Sequence, residues 1–316
     1  MKRRRFVAAL GAGLAGAFLP VPLPPLPRLA RARFVERWSW AMGQAVHVMV
    51  FADSEDQGLD ACARALAELR RVEARLSLFD AASDLCELNR RAGRGPMRAD
   101  VDLRAVVGAA ERLRQRTAGL FNVAVEPLMR IWGFHPLRTG MDYPDRAAFR
   151  AALDAVTTAT VRLGPDRIEL PNRHTLLDLG GIAVGYGIDC AAAVLRAHGI
   201  RRAFIDVSGD CYGLGAPPGD SRGWVVRIAD SAREVRLRDA ALATSSNLHA
   251  TVRLGVADRL GHIMDPRTGH SVAVEQKVSV VAATALAADA LSTGALVRQR
   301  APAGVRAIFT RDAVSA

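Results

Sequence analysis

Residues 282–296 contain a single carboxylate, Asp289, in an otherwise apolar stretch with helical periodicity. A buried carboxylate without a partner is costly, so we expect a positive group beside it. Thr293 follows one helical turn later, and a carboxylate and a hydroxyl on one helix face offer two hard oxygens to Mg²⁺. An exposed Asp289, or one paired with an arginine, is an alternative interpretation of this segment alone.

A candidate proton acceptor, His262, lies in residues 261–269. The Asp-Pro-x-x-Gly sequence at Asp265 to Gly269 predicts a tight turn, because proline presets its backbone angle and glycine reverses the chain. Histidine is the usual proton acceptor near neutral pH, so His262 beside this turn is a candidate general base. Taken alone, the segment favours the alternative, a structural histidine.

The densest glycine segment, residues 178–189, stands between a predicted strand and a predicted helix and contains four glycines. Such a segment lets the backbone approach a ligand closely, and the helix N-terminus that follows favours an anion. Tyr186 stands where a P-loop requires lysine, which argues against a nucleoside-triphosphate site. Tight packing of strand on helix is the alternative interpretation.

The elements that must position these segments follow from the periodicity of apolar residues. Helices are predicted over residues 56–78, 184–198 and 285–297, with a further amphipathic helix whose buried face includes Val101, Val106, Ala110 and Leu113. Strands are predicted over residues 45–51, 161–163, 168–170, 175–179, 203–207, 224–228, 235–237, 278–282 and 305–309. Their irregular order predicts an α+β fold with mixed or antiparallel sheets and packed helices, rather than a doubly wound parallel sheet. Residues 33–316 contain no long linker or repeat, so we expect one compact unit, which could have two lobes.

The composition is that of a globular protein: 316 residues, 50% hydrophobic and 24% charged. The net charge is +11, but residues 1–32 hold six basic residues and no acid, and removing these charges leaves +5. Aromatic residues make up only 5% and no recognition motif is present, so we expect no nucleic-acid partner. Four widely spaced cysteines without C-x-x-C argue against a zinc ribbon and leave one or two disulfides open.

Residues 1–32 have the pattern of a secretory signal peptide. A basic start at residues 2–5 precedes the apolar residues 6–19, a run shorter than the roughly 20 residues that span a membrane. Ala30-Arg31-Ala32 offers a cleavage site after Ala32, and the arginines at positions 3–5 resemble a twin-arginine export signal. The G-x-G-x-x-G at residues 11–16 lies inside this segment without a preceding strand, so we exclude a dinucleotide site there. An ordinary signal peptide or an uncleaved anchor is the alternative.

The three chemical segments, in the chain order 178–189, 261–269 and 282–296, resemble the ApbE family of FAD:protein FMN transferases. The resemblance extends to Met42-Gly43 and to residues 76–80, 83–89, 121–134 and 207–210, so it covers most of residues 40–297. It implies a periplasmic enzyme that joins the FMN half of FAD to a Thr or Ser hydroxyl of an acceptor protein and releases AMP. FAD is then a substrate, and the acceptor could hold the enzyme at the inner membrane surface.

The resemblance also implies roles for individual residues. The FAD site would be lined by Met42, Phe79, Phe121, Asn122, Asp178, Val184, His262 and Ile263. Magnesium would be held by the carbonyl of Gly181, by Asp289 and by Thr293, and the catalytic residues would be His262 and Asp289.

Three of these positions depart from the family pattern. Phe79 stands where tyrosine is usual, Asn122 where aspartate is usual, and Val184 where lysine or another polar residue is usual. Two alternatives therefore stay open beside the transferase. One is an FAD pyrophosphatase in which water replaces the acceptor hydroxyl and gives FMN and AMP. The other is a non-catalytic periplasmic flavin-binding protein.

The N-terminal pattern predicts that the protein is exported and that its mature form begins at Arg33. N-terminal sequencing of the protein from the extracytoplasmic fraction tests this expectation. Replacing Arg3 and Arg4 together by lysine should block export by the twin-arginine route, whereas Arg28→Lys, outside the arginine cluster, should not. An intact Met1 on a cytoplasmic protein would contradict the prediction of export.

Overall fold

The computed structural model of the protein describes residues 32–135, 142–228, 231–247, 251–254, 258–272 and 276–311. These residues belong to one compact unit that starts at Ala32. Residues 1–31 of the predicted signal segment lie outside the described residues. None of the helices in the described part has the length and apolar character needed to cross a membrane.

A seven-stranded antiparallel sheet forms the centre of the fold, in the order β1-β2-β6-β7-β10-β13-β14. Its strands are β1 (Arg33–Ala41), β2 (Gln44–Ala52), β6 (Arg202–Val207), β7 (Asp210–Leu214), β10 (Ala240–Ser246), β13 (Gln276–Ala282) and β14 (Arg306–Arg311). The smaller sheets contain β3 (Met97–Arg98), β4 (Arg162–Leu163) and β5 (Arg167–Glu169), then β8 (Trp224–Arg227) with β9 (Glu234–Leu237), and β11 (Thr251–Leu254) with β12 (Asp258–Gly261). The antiparallel sheet confirms the predicted α+β class.

The helices are α1 (Glu55–Leu76), α2 (Asp84–Arg90), α3 (Val101–Arg116), α4 (Glu126–Ile131), α5 (Arg146–Thr157), α6 (Ala183–Ala197) and α7 (Ala285–Arg298), and a 3₁₀ turn spans Val123–Val125. Helices α1 and α6 cover one face of the central sheet. Alternate residues of β2, such as Val46 and Val48, are fully buried against Leu66 of α1 and Ile188 of α6. Period-2 burial on the strand and helical spacing on α1 are the patterns that predicted both elements.

The predicted strand over residues 175–179 is wrong, although its alternation is real. Thr175, Leu177 and Leu179 are buried, but the segment is not part of any sheet. The side-chain amide of Asn89 takes the place of a neighbouring strand: it donates to the Leu177 carbonyl at 2.9 Å and accepts from the Leu177 N–H at 2.8 Å. A paired side chain satisfies the backbone here, so no ladder is needed.

Two further expectations are corrected by the structure. Val101 is 62% exposed because it begins α3 on the side away from Val106 and Leu113, which are buried as predicted. All four cysteines are free, so the disulfides that the sequence left open do not form.

Helices α6 and α7 touch at Gly185. A Cβ at this position would lie 2.3 Å from the carbonyl oxygen of Ala285, which is backbone and cannot move independently. The two helices also cap one another. Asp189 of α6 accepts from the N–H groups of Ala285 and Leu286 at 2.8 and 3.0 Å, and Asp289 of α7 accepts from the Gly185 N–H at 3.0 Å. These bonds satisfy helix-terminal donors that have no intrahelical partner.

We predict that Gly185→Ala lowers the free energy of unfolding by about 2–3 kcal/mol, because the added methyl group must push two helices apart. Urea unfolding monitored by circular dichroism measures the change. Gly187→Ala is the matched control in the same helix, since its Cβ would meet only the flexible side chains of Leu69, at 3.2 Å, and Met42, at 3.6 Å. Equal stability of the two variants would contradict the proposed helix contact.

Candidate functional site

A cavity of about 630 Å³ opens at the end of the central sheet, beside the N-terminus of α6 and the buried side of α7. A cavity of this size is typical of a small-molecule site. Its lining includes every predicted site residue except Met42: Phe79, Phe121, Asn122, Asp178, Gly181, Val184, His262, Ile263, Asp289 and Thr293. The structure thus brings together residues that lie more than 200 positions apart in the chain.

Met42 lies beside the cavity rather than in its described lining. It occupies the turn between β1 and β2 with a positive φ of 57° and packs against both large apolar clusters. Gln44, two residues later, does line the cavity. The role that the family resemblance implies for Met42 therefore stays a prediction.

Asp289 is 7% exposed and is held in one orientation by the Gly185 N–H, which donates to its Oδ2. Neither alternative interpretation of Asp289 holds, because it is buried and forms no ion pair within the described part of the chain. Thr293 lies one turn further along α7, as predicted. A Cβ at Gly181 would lie only 3.3 Å from Thr293 Oγ1, so Gly181 reaches the same place from the loop before α6.

A second carboxylate, Asp210 of β7, also lines the cavity and was not assigned a role from the sequence. Its Oδ1 accepts from the Thr244 N–H at 3.0 Å. Burial, together with the charge of Asp206, raises the pKa of Asp210 to about 7. Burial, followed by the charge of Asp210, raises the pKa of Asp289 well above its ordinary value. In the sequence, Asp210 directly follows a Ser-Gly turn within residues 207–210, which resemble the family, and neither signal assigned it a role.

Three hydroxyl groups form a network beside Asp289 on α7 and β10. Ser245 Oγ lies 2.7 Å from Ser292 Oγ and 3.1 Å from Thr293 Oγ1, and Ser292 donates to the Asp289 carbonyl at 2.8 Å. Hydroxyls can reorient their hydrogen to suit a neighbour. This network therefore fixes the position of Thr293 while leaving its oxygen beside the cavity.

His262 and Ile263 are positioned by Asn247, which is buried. The Asn247 side chain accepts from the Ile263 N–H at 2.7 Å and donates to the Val272 carbonyl at 2.7 Å. Gly261 permits this contact, because a Cβ there would lie 2.1 Å from the Asn247 side chain. The predicted turn after His262 is present: the Gly269 N–H donates to the Asp265 carbonyl at 2.8 Å. Asn247 was missed because its contacts lie 16 or more positions away.

Part of the cavity lining is apolar and aromatic. Phe79 is 82% exposed and stands edge-on to His135, with ring centroids 5.4 Å apart. Val184 is buried at the start of α6, where it can offer only an apolar contact. His135 lines the cavity as well, and no sequence pattern had indicated a role for it.

Asp178 and Asn122 lie in two neighbouring loops and are held by backbone hydrogen bonds. The Asp178 N–H donates to the Val123 carbonyl at 2.7 Å, and Asp178 Oδ1 accepts from the Gly180 N–H at 2.7 Å. Asn122 Oδ1 accepts from the Ala124 N–H at 2.9 Å and so begins the 3₁₀ turn. In each residue one side-chain oxygen accepts a hydrogen bond from the local backbone, and this bond fixes the direction of the side chain toward the cavity.

This arrangement joins three chemical capacities in one cavity. Carboxylate, hydroxyl and carbonyl oxygens at Asp289, Thr293 and Gly181 suit a hard divalent cation. The imidazole of His262 can exchange a proton with a ligand. Exposed aromatic and apolar surface around Phe79 suits a planar ring system. Together these features suit a phosphorylated ligand that carries an aromatic ring.

Comparison with known proteins points to one family. The sequence profile described as the ApbE family matches residues 42–311. The FAD:protein FMN transferase of Treponema pallidum (strain Nichols) is 30% identical over 292 residues, which cover 85% of this chain and 80% of that protein.

Solved structures share the fold. The flavin transferase ApbE of Vibrio cholerae has a TM-score of 0.70 and 26% identity, covering 84% of this chain and 87% of that one. The flavinyl transferase ApbE of Pseudomonas stutzeri has a TM-score of 0.75, with 24% identity and coverage of 90% and 94%. The second similarity, at its lower identity, is evidence for the fold alone.

We predict that Asp289→Asn increases the resistance of the metal-free protein to unfolding more at pH 8 than at pH 5. A carboxylate whose folded pKa is raised stabilises the fold below its unfolded pKa of 3.8, and this stabilisation is lost as pH rises toward the folded value. Asparagine keeps the shape, never ionises, and relieves the repulsion with Asp210.

Thermal unfolding in EDTA at the two pH values measures this effect. Asp154→Asn, which removes an exposed carboxylate far from the cavity lining, is the control and should leave the pH dependence unchanged. If the melting temperatures of wild type and Asp289→Asn changed with pH in the same way, the result would contradict an unfavourable electrostatic interaction at buried Asp289.

Proposed function

Because this chain belongs to the ApbE family, we propose that it transfers the FMN moiety of FAD to a Thr or Ser hydroxyl of an acceptor protein. It is an enzyme of the flavin-transferase type, which acts on FAD and on a flavin-acceptor protein. The choice of Thr or Ser, the release of AMP and the need for Mg²⁺ are the finer parts of the proposal. The oxygen donors of the cavity support the need for Mg²⁺, and the family resemblance supports the acceptor hydroxyl and the release of AMP.

One observation carries the proposal: the buried carboxylate of Asp289, its neighbour Thr293 and the candidate base His262 line the same cavity as the exposed aromatic Phe79. A ligand that fills this cavity can place its phosphates at the polar end and a ring at the aromatic wall. FAD has both parts. The apolar position of Val184 is compatible with ring contact and supplies no hydrogen bond.

The residues at the polar end fit Mg²⁺. A divalent cation would stabilise Asp289, whose pKa is raised by burial and by the charge of Asp210, and hydroxyl and carbonyl oxygens complete a hard donor set. We propose that Asp289, Thr293 and the Gly181 carbonyl bind the ion. Magnesium, when bound, neutralises negative charge on the pyrophosphate oxygens.

The reaction needs one new bond and the loss of one old bond. The acceptor hydroxyl oxygen bonds to the phosphorus of the FMN half, and the bond from that phosphorus to the bridging oxygen breaks, so that AMP leaves. The hydroxyl proton passes to a base, a role for which His262 is the best candidate in the lining. Asn247 and Gly261 hold His262 in place while Asp289 and Thr293 orient the phosphates.

We further propose that the reaction takes place outside the cytoplasm. Residues 1–32 support this, since they combine an arginine cluster, a short apolar run and an Ala-x-Ala cleavage site. An acceptor at the outer surface of the inner membrane would then hold the enzyme there.

Incubation of the purified protein with FAD and Mg²⁺, with and without a flavin-acceptor protein, tests the function. Release of AMP only with the acceptor, together with a covalent mass increase of the acceptor, supports transfer. Release of AMP regardless of the acceptor identifies an FAD pyrophosphatase. Binding of FAD without AMP in either tube identifies a flavin-binding protein and overturns the proposal.

The metal is tested separately from turnover. Mg²⁺ should raise the melting temperature of the wild-type protein by mass action, and it should not raise that of Asp289→Asn. Both Asp289→Ala and Asp289→Asn should abolish Mg²⁺-dependent AMP release, because the ion needs the charge. An Asp289→Asn variant that turns over at the parent rate would remove the metal assignment.

We predict that His262→Ala leaves FAD bound but slows flavin transfer by about 10²–10⁴-fold, the usual contribution of a general base. Single-turnover transfer at saturating FAD measures the rate, and thermal unfolding checks that the variant is folded. His174→Ala, at an exposed position that is not part of the cavity lining, is the control. A loss of less than tenfold in the folded variant would assign His262 a structural role.

A further inference from the structure

His135 enters the cavity wall through a turn at the end of α4. Gly133 has a positive φ of 81°, and the Phe134 N–H donates back to the Met129 carbonyl at 2.8 Å. This reversal brings the imidazole over the helix that precedes it. His135 Nδ1 lies 3.8 Å from Oε2 of Glu126, which is an ion-pair distance but too long for a hydrogen bond.

Glu126 is an unusual residue to find beside a ligand cavity, because it is 0% exposed. Its Oε1 pairs with Arg130, whereas Oε2 has no hydrogen-bond partner among the described residues. A buried carboxylate oxygen without a partner is costly. The imidazolium form of His135 lowers this cost, since it places a positive charge next to Oε2.

The charged groups around His135 favour its protonated form. Burial alone would lower the pKa of His135 and Arg130 opposes protonation too, but Glu126 and the charge of Asp178 outweigh them and raise it. These groups come from α4 and from the loop before α6. With Nδ1 turned toward Glu126, Nε2 is the ring nitrogen that a ligand in the cavity can reach.

The described cavity lining carries three carboxylates, those of Asp178, Asp210 and Asp289. A ligand with two phosphates adds more negative charge, so a cation at the aromatic end improves its binding. His135 stands there against Phe79, at 85° between the ring planes. An exposed aromatic surface and an imidazolium donor side by side suit one end of a nucleotide-like ligand.

We propose that His135 is an FAD-binding residue of this protein, that it donates a charge-assisted hydrogen bond from Nε2 to an acceptor atom of FAD, and that Glu126 is its positioning residue. The identity of the ligand rests on the proposed function. The role of the Glu126–His135 pair rests on the geometry of the cavity.

FAD affinity as a function of pH tests the proposal without any turnover. Flavin fluorescence titrations between pH 6 and pH 8.5, at saturating Mg²⁺ and without acceptor, measure the dissociation constant. Wild-type affinity should fall as pH rises, because His135 loses its charge. At pH 6, His135→Gln should bind FAD about tenfold more weakly, the effect of one charge-assisted hydrogen bond, and this difference should vanish at high pH.

Glu126→Gln provides the diagnostic for a positioning role. It keeps the shape of the side chain but removes its charge, so the fall in affinity should move to lower pH while the affinity at the acidic limit is retained. A purely structural role would weaken binding equally at every pH. His174→Gln, which removes an exposed imidazole outside the described cavity lining, should match wild type.

Asp210 ionises near the same pH range, so the comparison between wild type and His135→Gln, which both retain Asp210, isolates the imidazole. Riboflavin and AMP titrations then show which half of FAD receives the hydrogen bond.

The same affinity and pH profile in His135→Gln as in wild type would overturn the proposal. So would a wild-type affinity that is constant across the range, a result that needs no variant to fold. A protein that binds FAD with the expected profile but transfers no flavin would overturn only the proposed function.

Discussion

The reciprocal capping of α6 and α7 is the interaction on which the site depends. Each helix supplies a carboxylate to the first turn of the other: Asp189 to the start of α7, and Asp289 to the Gly185 N–H of α6. Ile182 at the N-cap of α6 has no side-chain acceptor of its own, so Asp289 is the only side chain that caps this turn in the described structure. The contact requires glycine at position 185, because any larger residue would separate the helices.

This capping places the carboxylate of Asp289 in a buried position, where a charge lowers the stability of the fold. Asp289 is buried, and the charge of Asp210 further disfavours its ionisation. Folding around such a pair is costly at neutral pH unless a cation joins it. A site that destabilises the empty protein and is stabilised by its ligand is a common feature of binding and catalytic centres. The fold can tolerate this cost because the helices around the pair are packed on a seven-stranded sheet.

Side-chain amides complete the cavity where the sheet ends. Asn89 pairs with Leu177 in place of a strand, and Asn247 pairs with Ile263 beside His262. An amide side chain offers a donor and an acceptor together, so it can satisfy an isolated backbone residue without extending a ladder. The loops that carry Asp178 and His262 thereby have backbone hydrogen bonds without joining a strand, and both side chains line the cavity.

The sequence by itself determined the local elements and the chemical segments. Apolar periodicity predicted α1, α6 and α7 to within about two residues, and turn chemistry predicted the reversal after His262, because these signals act between residues close in the chain. Resemblance to a family implied that Asp289 and Thr293 act together with Gly181, and the structure places all three in the lining of one cavity. Only the tertiary structure decided that Asp210 and Asp289 line the same cavity. Contacts of this kind link residues tens of positions apart, and no local pattern encodes which of the many buried surfaces will meet.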